Sequence, residues 1–136
     1  MSWETLLIGD IYFKRNYKKI KGLLEEICGI LELRKPIKIR ESEYEKLRRS
    51  GNAEYGNYLI SDREFLYLVI TDINWGSHVD DRKLEELRSL LRKNKDLVYS
   101  ADLSLYYLDE AHVTLNYDSS RDAVNEENEE DVGEVE

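Results

Sequence analysis

Two periodicities of apolar residues organise this chain. Residues 3–13 (WETLLIGDIYF) are rich in aliphatic and aromatic side chains and predict a strand. Alternation along it sets Leu7, Ile11 and Phe13 on one face and Leu6, Ile8 and Tyr12 on the other. From Tyr17 to Leu31 the spacing becomes helical. Ile20, Leu24, Ile27 and Leu31 form the stripe, Leu23 and Cys28 lie alongside, and Asn16 is the expected N-cap. Gly22 and Gly29 fall on one side of this helix, at about 1 kcal/mol each against Ala. That cost predicts a close approach of the helix to a strand.

Pro36 interrupts, Ile37 to Arg40 form a short extended piece, and a small helix is expected over 43–49, stopped by Gly51. Residues 53–60 and 64–73 predict two strands joined by the polar turn Ser61-Asp62-Arg63-Glu64. A loop over 74–78 leads to a second long helix, about 80–94, with Leu84, Leu87, Leu90 and Leu91 as its buried stripe. A strand at 98–108 follows, and 113–117 folds back after Asp109 and Glu110. No internal repeat is present.

This order, β-α-(β)-β-β-α-β with an extra piece near each end, predicts an α+β protein. Strand 64–73 is apolar on both faces, with Phe65, Tyr67, Val69 and Ile73 opposite Leu66, Leu68 and Ile70. Strand 98–108 is one-sided, with Tyr99, Ala101, Leu103, Leu105 and Tyr107 opposed by Ser100, Asp102 and Ser104. Two-sided strands belong in the middle of a sheet. A ferredoxin-like two-layer sandwich, strand order 4-1-3-2 with two helices on one face, places the first and third main strands there. The second sheet face is then apolar too. Its expected cover is a second copy of the chain or a protein partner, or else the chain's own extra strands and tyrosine rings.

Charge changes the picture at one end only. From Asp118 to Glu136 there are nine carboxylates and one base, Arg121, whereas residues 1–117 hold 20 acids and 19 bases. The net charge of −9 thus belongs to an acidic extension of a nearly neutral body. Residues 1–117 read as one domain and 118–136 as a disordered tail, because high like charge with almost no apolar residues does not collapse. The tail's reach of about 24 Å exceeds the radius of gyration of about 13 Å expected for the body, so it spans much of its own surface. Its plainest role is solubility. One cysteine excludes an internal disulfide, and Cys28 reads as a small core residue. No run of about 18 apolar residues and no signal-like start are present, so no membrane is expected and the cytoplasm is the expected location. The absence of Gln and the 36% of charged residues lean toward a thermophilic source, although Asn is not depleted.

Two constellations bear on chemistry. Lys14, Arg15, Lys18, Lys19 and Lys21 crowd the start of the first helix, against its dipole, and Tyr12, Phe13 and Tyr17 lie close by. Free N–H groups with five cations make an anion or nucleic-acid site, with Tyr17 placed to stack on a base. The plainer reading is a solvated face with Lys21–Glu25 pairing. Asp72, His78 and Asp80, around Asn74-Trp75-Gly76-Ser77, could supply a general base or hold a divalent metal in a hydrolase or nuclease. The plainer reading makes Gly76 a turn and Ser77 or Asp80 a helix cap. No glycine-rich phosphate loop, zinc-spaced Cys/His set or serine elbow occurs. Glu54-Tyr55-Gly56-Asn57-Tyr58-Leu59 lacks the leading base and the aromatic spacing of an RNA-recognition motif. The expectation is a non-enzymatic binding protein, dimeric, with no cofactor and no bound metal. A nucleic-acid binder autoinhibited by its tail is the second reading and a metal-assisted hydrolase the third.

Overall fold

A computed structural model describes residues 4–14, 17–51, 56–63, 65–75, 81–107 and 113–120. Among them the elements run β1 (Glu4–Phe13), α1 (Tyr17–Leu31), β2 (Ile37–Arg40), α2 (Glu41–Arg49), β3 (Gly56–Ser61), β4 (Leu66–Trp75), α3 (Asp81–Lys93), β5 (Val98–Tyr107) and β6 (Val113–Asp118). The fold is mixed α+β. Its strands form one six-stranded sheet in the order β2-β3-β4-β1-β5-β6. All neighbours are antiparallel except β2 and β3, which run parallel. No helix among the described residues is long and apolar enough to cross a membrane.

Crossover handedness explains which face each helix takes. β1 and β3 are both antiparallel to β4, so α1 lies on a crossover that moves toward the β2 edge. α3 connects β4 to β5 in the opposite direction with the strand direction also reversed, which returns it to the same face. The β2–α2–β3 step moves inward with the strand direction of β1. A right-handed crossover then places α2 on the other face. The packing agrees. The main core joins Ile20, Leu23, Ile27 and Leu31 of α1 and Leu84, Leu87 and Leu91 of α3 to Leu7, Ile11, Phe13, Leu68, Ile70 and Leu103 of the sheet. A smaller cluster of Tyr58, Ile60 and Tyr67 lies on the second face, where Tyr44 and Leu47 of α2 pack on it.

Several sequence expectations need correction. Leu23, not Leu24, completes the buried stripe of α1, and Leu24 and Cys28 are only half-buried on its flank. Gly22 and Gly29 do not mark a close approach, because a Cβ at either would meet nothing within 4 Å. Close approach occurs instead at Gly9, in the middle of β1 with φ +156°, where a Cβ would lie 2.7 Å from the Leu103 Cα. Tyr99 does not join Ala101 and Leu103. The register of β1 against β5 shifts between Tyr12 and Phe13, and this leaves Tyr99 46% exposed on the second face. β6 pairs antiparallel along β5, the fold-back expected of 113–117. The body extends beyond 117: Asp118 ends β6, and Ser120 donates to its carboxylate from both N and Oγ. Residues 121–136 lie outside the described residues, as do Arg15, Asn16, Gly76, Ser77, His78 and Asp80.

The glycines give a paired test. Gly22→Ala and Gly29→Ala should each stabilise the protein by about 0.5–1 kcal/mol, since helical backbone entropy falls and no clash arises. Gly9→Ala should destabilise it by about 3 kcal/mol or more through overpacking between central strands. Urea denaturation midpoints measure all three.

Candidate functional site

α2 obeys the helix dipole, with Glu41 and Glu43 in its first turn and Lys46, Arg48 and Arg49 in its last. None of its residues is fully buried, so its tertiary hold on the sheet comes through the half-buried Tyr44 and Leu47. From it a line of rings crosses the second face. Tyr44 meets Tyr58 at 5.3 Å, Tyr12 stacks on Tyr67 at 4.8 Å, and Phe65 bridges Tyr12 at 5.9 Å to Tyr99 at 6.2 Å. The Tyr67 hydroxyl donates to Glu41 Oε1 at 3.4 Å, and its pKa is pushed well above the ordinary tyrosine value, first by burial and then by the Glu41 charge. The chain's own helix and tyrosine rings therefore cover the half of this face nearer β3.

Among the described residues the other half is left open. Phe65, Tyr99, Tyr106 and Ile8 are 36–46% exposed there, the aromatic pair Phe65–Tyr99 toward one end and Ile8 and Tyr106 toward the other. Between them Asp10 of β1 stands directly opposite Asp102 of β5. Partial burial, and then the Asp102 charge, raise the Asp10 carboxyl above the usual carboxylate range. Asn116 and Thr114 of β6 continue the polar strip as cross-strand partners of Asp102 and Ser104. A surface with aromatic ends and a carboxylate centre suits a partner that brings apolar side chains flanking a donor or a cation.

The cationic start of α1 is only partly assembled. Lys18, Lys19 and Lys21 are exposed on its first turns. Lys14 is held elsewhere: its Nζ donates to the Lys95 carbonyl at 3.1 Å and lies 5.3 Å from the centre of the Tyr99 ring. Arg15 lies outside the described residues, and only the backbone of Tyr17 is described. Tyr99 links this corner to the end of β6, because Ser119 N–H donates to its carbonyl at 2.9 Å. The last described residues, Ser119 and Ser120, thus follow β6 at the Tyr99 corner.

Asp72 sits inside β4 and is 1% exposed on the core face, in register with Leu66, Leu68 and Ile70. Its carboxylate is a structural knot. Asn57 Nδ2 donates to Oδ2 at 2.9 Å, and Arg34 donates to Oδ2 from its backbone N at 3.3 Å and to Oδ1 from Nη2 at 3.2 Å. Asn57 Nδ2 also donates to the Arg34 carbonyl at 3.1 Å. This fixes the exit of α1, where Glu32 adopts φ +51° and Leu33 N–H closes on the Cys28 carbonyl. His78 and Asp80 lie outside the described residues; among those described, Asp72 is brought together with Arg34 and Asn57. The sequence held one signal for this: a carboxylate in phase with a buried stripe must find partners. Nothing in the pattern named Arg34 or Asn57. Among the described residues no three Cys, His, Asp or Glu side chains converge as a metal site.

No family model matches the chain, and no curated protein or solved structure matches it.

The Asp10–Asp102 pair makes a pH prediction. A carboxyl with a raised pKa in the folded state favours folding at low pH, and that advantage is lost as pH rises through its titration. Asp10→Asn should therefore stabilise the protein at pH 7 by about 0.2–1 kcal/mol, the scale of a cross-strand like-charge pair. The gain should vanish near pH 3, where the native carboxyl is protonated. Urea titrations of both forms at the two pH values measure it.

Proposed function

We propose that this is a small binding protein that acts by macromolecular association, with self-association through the uncovered half of its second sheet face as the first mode. The supporting observation is the concentration of Ile8, Phe65, Tyr99 and Tyr106, all partly exposed, on that one surface. Aromatic residues are enriched in interface cores, and symmetric dimers are the commonest way a chain covers such a face. The Asp10–Asp102 pair restricts the pairing, since two copies must meet offset along the face so that neither carboxylate pair lies over the other. For the body as a whole, a ferredoxin-like core is the reading we favour. The order β3-β4-β1-β5, with α1 and α3 on one face, supports it, and β2, α2 and β6 are then additions.

A second mode rests on a separate observation. Lys14, Lys95, Tyr99 and Ser119 converge at one corner of the described residues. Residues 118–136 carry nine carboxylates. In this reading Lys14, Lys18, Lys19 and Lys21 bind the phosphates of a single-stranded nucleic acid, and the acidic segment competes for the same cations.

Light scattering at rising concentration tests the first mode. A dimer is expected, weakened at least tenfold by Tyr99→Glu or Phe65→Glu with the helical circular dichroism unchanged. A strict monomer at millimolar concentration would remove self-association. For the second mode, deletion of residues 121–136 should raise affinity for single-stranded nucleic acid at least tenfold at low salt, with the gain shrinking as salt rises. Undetectable binding by the shortened chain at low salt would remove it.

A further inference from the structure

On the helix side of the sheet, away from the aromatic face, the layer stops short of the β2 edge. The open strip between the flank of α1 and β2 is a groove of about 700 Å³, within the range of small-molecule sites. Its apolar lining is Leu24 and Cys28 of α1, Leu33 and Pro36 of the connection, and Leu59 of β3. These are the residues that place Leu24 and Cys28 outside the buried stripe of α1. The charged lining is Lys21, Lys35 and Lys38 against Glu25 alone. Lys38 pairs in register with Leu59, so its side chain rises on the helix side at the sheet edge.

We infer that this groove binds a small organic anion with an apolar body, such as a medium-chain carboxylate. The apolar strip takes the body, and the lysines on both banks take the charged head. The lining runs along α1 from Lys21 to Cys28, about 10 Å at 1.5 Å per residue, which matches an extended aliphatic chain. A docking helix is itself about 10 Å across with its side chains and needs a longer trough. Phosphate groups alone would leave the apolar floor unused. Glu25 favours a cationic head only weakly by itself, and the three lysines around it settle the sign for an anion.

Cys28 is the chain's single cysteine and lies in the groove, so its alkylation reports occupancy directly. Burial raises its pKa, and the reaction with N-ethylmaleimide is therefore best followed at mildly alkaline pH. The full chain is labelled alone and with decanoate, decanol or decylammonium, each below its micelle concentration. Decanoate should slow alkylation at least fivefold, and decylammonium less than twofold, with decanol between them. The double variant Lys21→Glu/Lys35→Glu alters two exposed side chains. It should melt as the parent does and lose the protection by decanoate. Unfolding by an amphiphile would speed alkylation and so cannot imitate protection. The inference is overturned if decylammonium protects as well as decanoate, if decanoate leaves the rate unchanged or raises it, or if the double variant keeps full protection.

Discussion

Everything distinctive about this fold follows from a mismatch of widths. Six strands at about 4.8 Å each make a sheet about 29 Å wide, whereas two helices side by side cover about 20 Å, or four strands. α1 and α3 bury the middle, and α3 also reaches β6 through Arg88, whose Nη1 donates to the Asn116 carbonyl at 3.2 Å. The deficit collects at the β2 edge. There Leu24, Cys28 and Leu59 form the floor of a groove instead of joining a third helix. β2 is a poor template for strand addition all the same, being four residues long with Lys38 and Arg40 along it.

Chain topology decides how the second face is shared. The right-handed β2–α2–β3 step carries α2 across, but nine residues of helix cover only the strands next to it. Gly9 then allows β1 and β5 to approach closely. That approach sets Asp10 against Asp102 across the uncovered part. On the helix side, Asp72 binds the connection after α1 to the sheet, which holds the Leu33–Pro36 bank of the groove in place. A charge-assisted hydrogen bond of this kind contributes about 1.5–3 kcal/mol. The carboxylate that looked most like chemistry in the sequence is thus a fixture of the scaffold.

Much of this architecture was legible from periodicity. The alternation in 64–73 and the stripes at Ile20–Leu31 and Leu84–Leu91 located β4, α1 and α3, and two-sided patterning placed β1 and β4 at the centre of the sheet. Periodicity failed where one residue shifts the phase. The register slip opposite Tyr12 and Phe13 moves Tyr99 to the other face, and no alternation rule anticipates a slip that the partner strand imposes. The covering role of α2 was illegible for a different reason: Tyr44 and Leu47 are too few to make a stripe, and only topology aims them at the sheet. Glycines misled because the two in α1 advertised a packing role, while the one that has it, Gly9, lies inside a strand. Of the candidate sites, the cationic cluster was visible as composition. The groove was not, because its banks come from α1, β2 and β3, which are distant in sequence.

The near-neutral charge of the body conceals a division by sign. Lysines 21, 35 and 38 edge the groove on the helix side, and Asp10 and Asp102 occupy the open sheet face. Opposite charges that cancel in the total do not cancel at a surface, because at physiological ionic strength the Debye length is about 8 Å and stacked layers lie about 10 Å apart. Each face therefore presents its own sign to an approaching partner. By Coulomb's law an anionic partner meets repulsion at the carboxylate pair and attraction along the lysine edge. Charge sorting of this kind gives the two sides of one small sheet unlike local electrostatic characters.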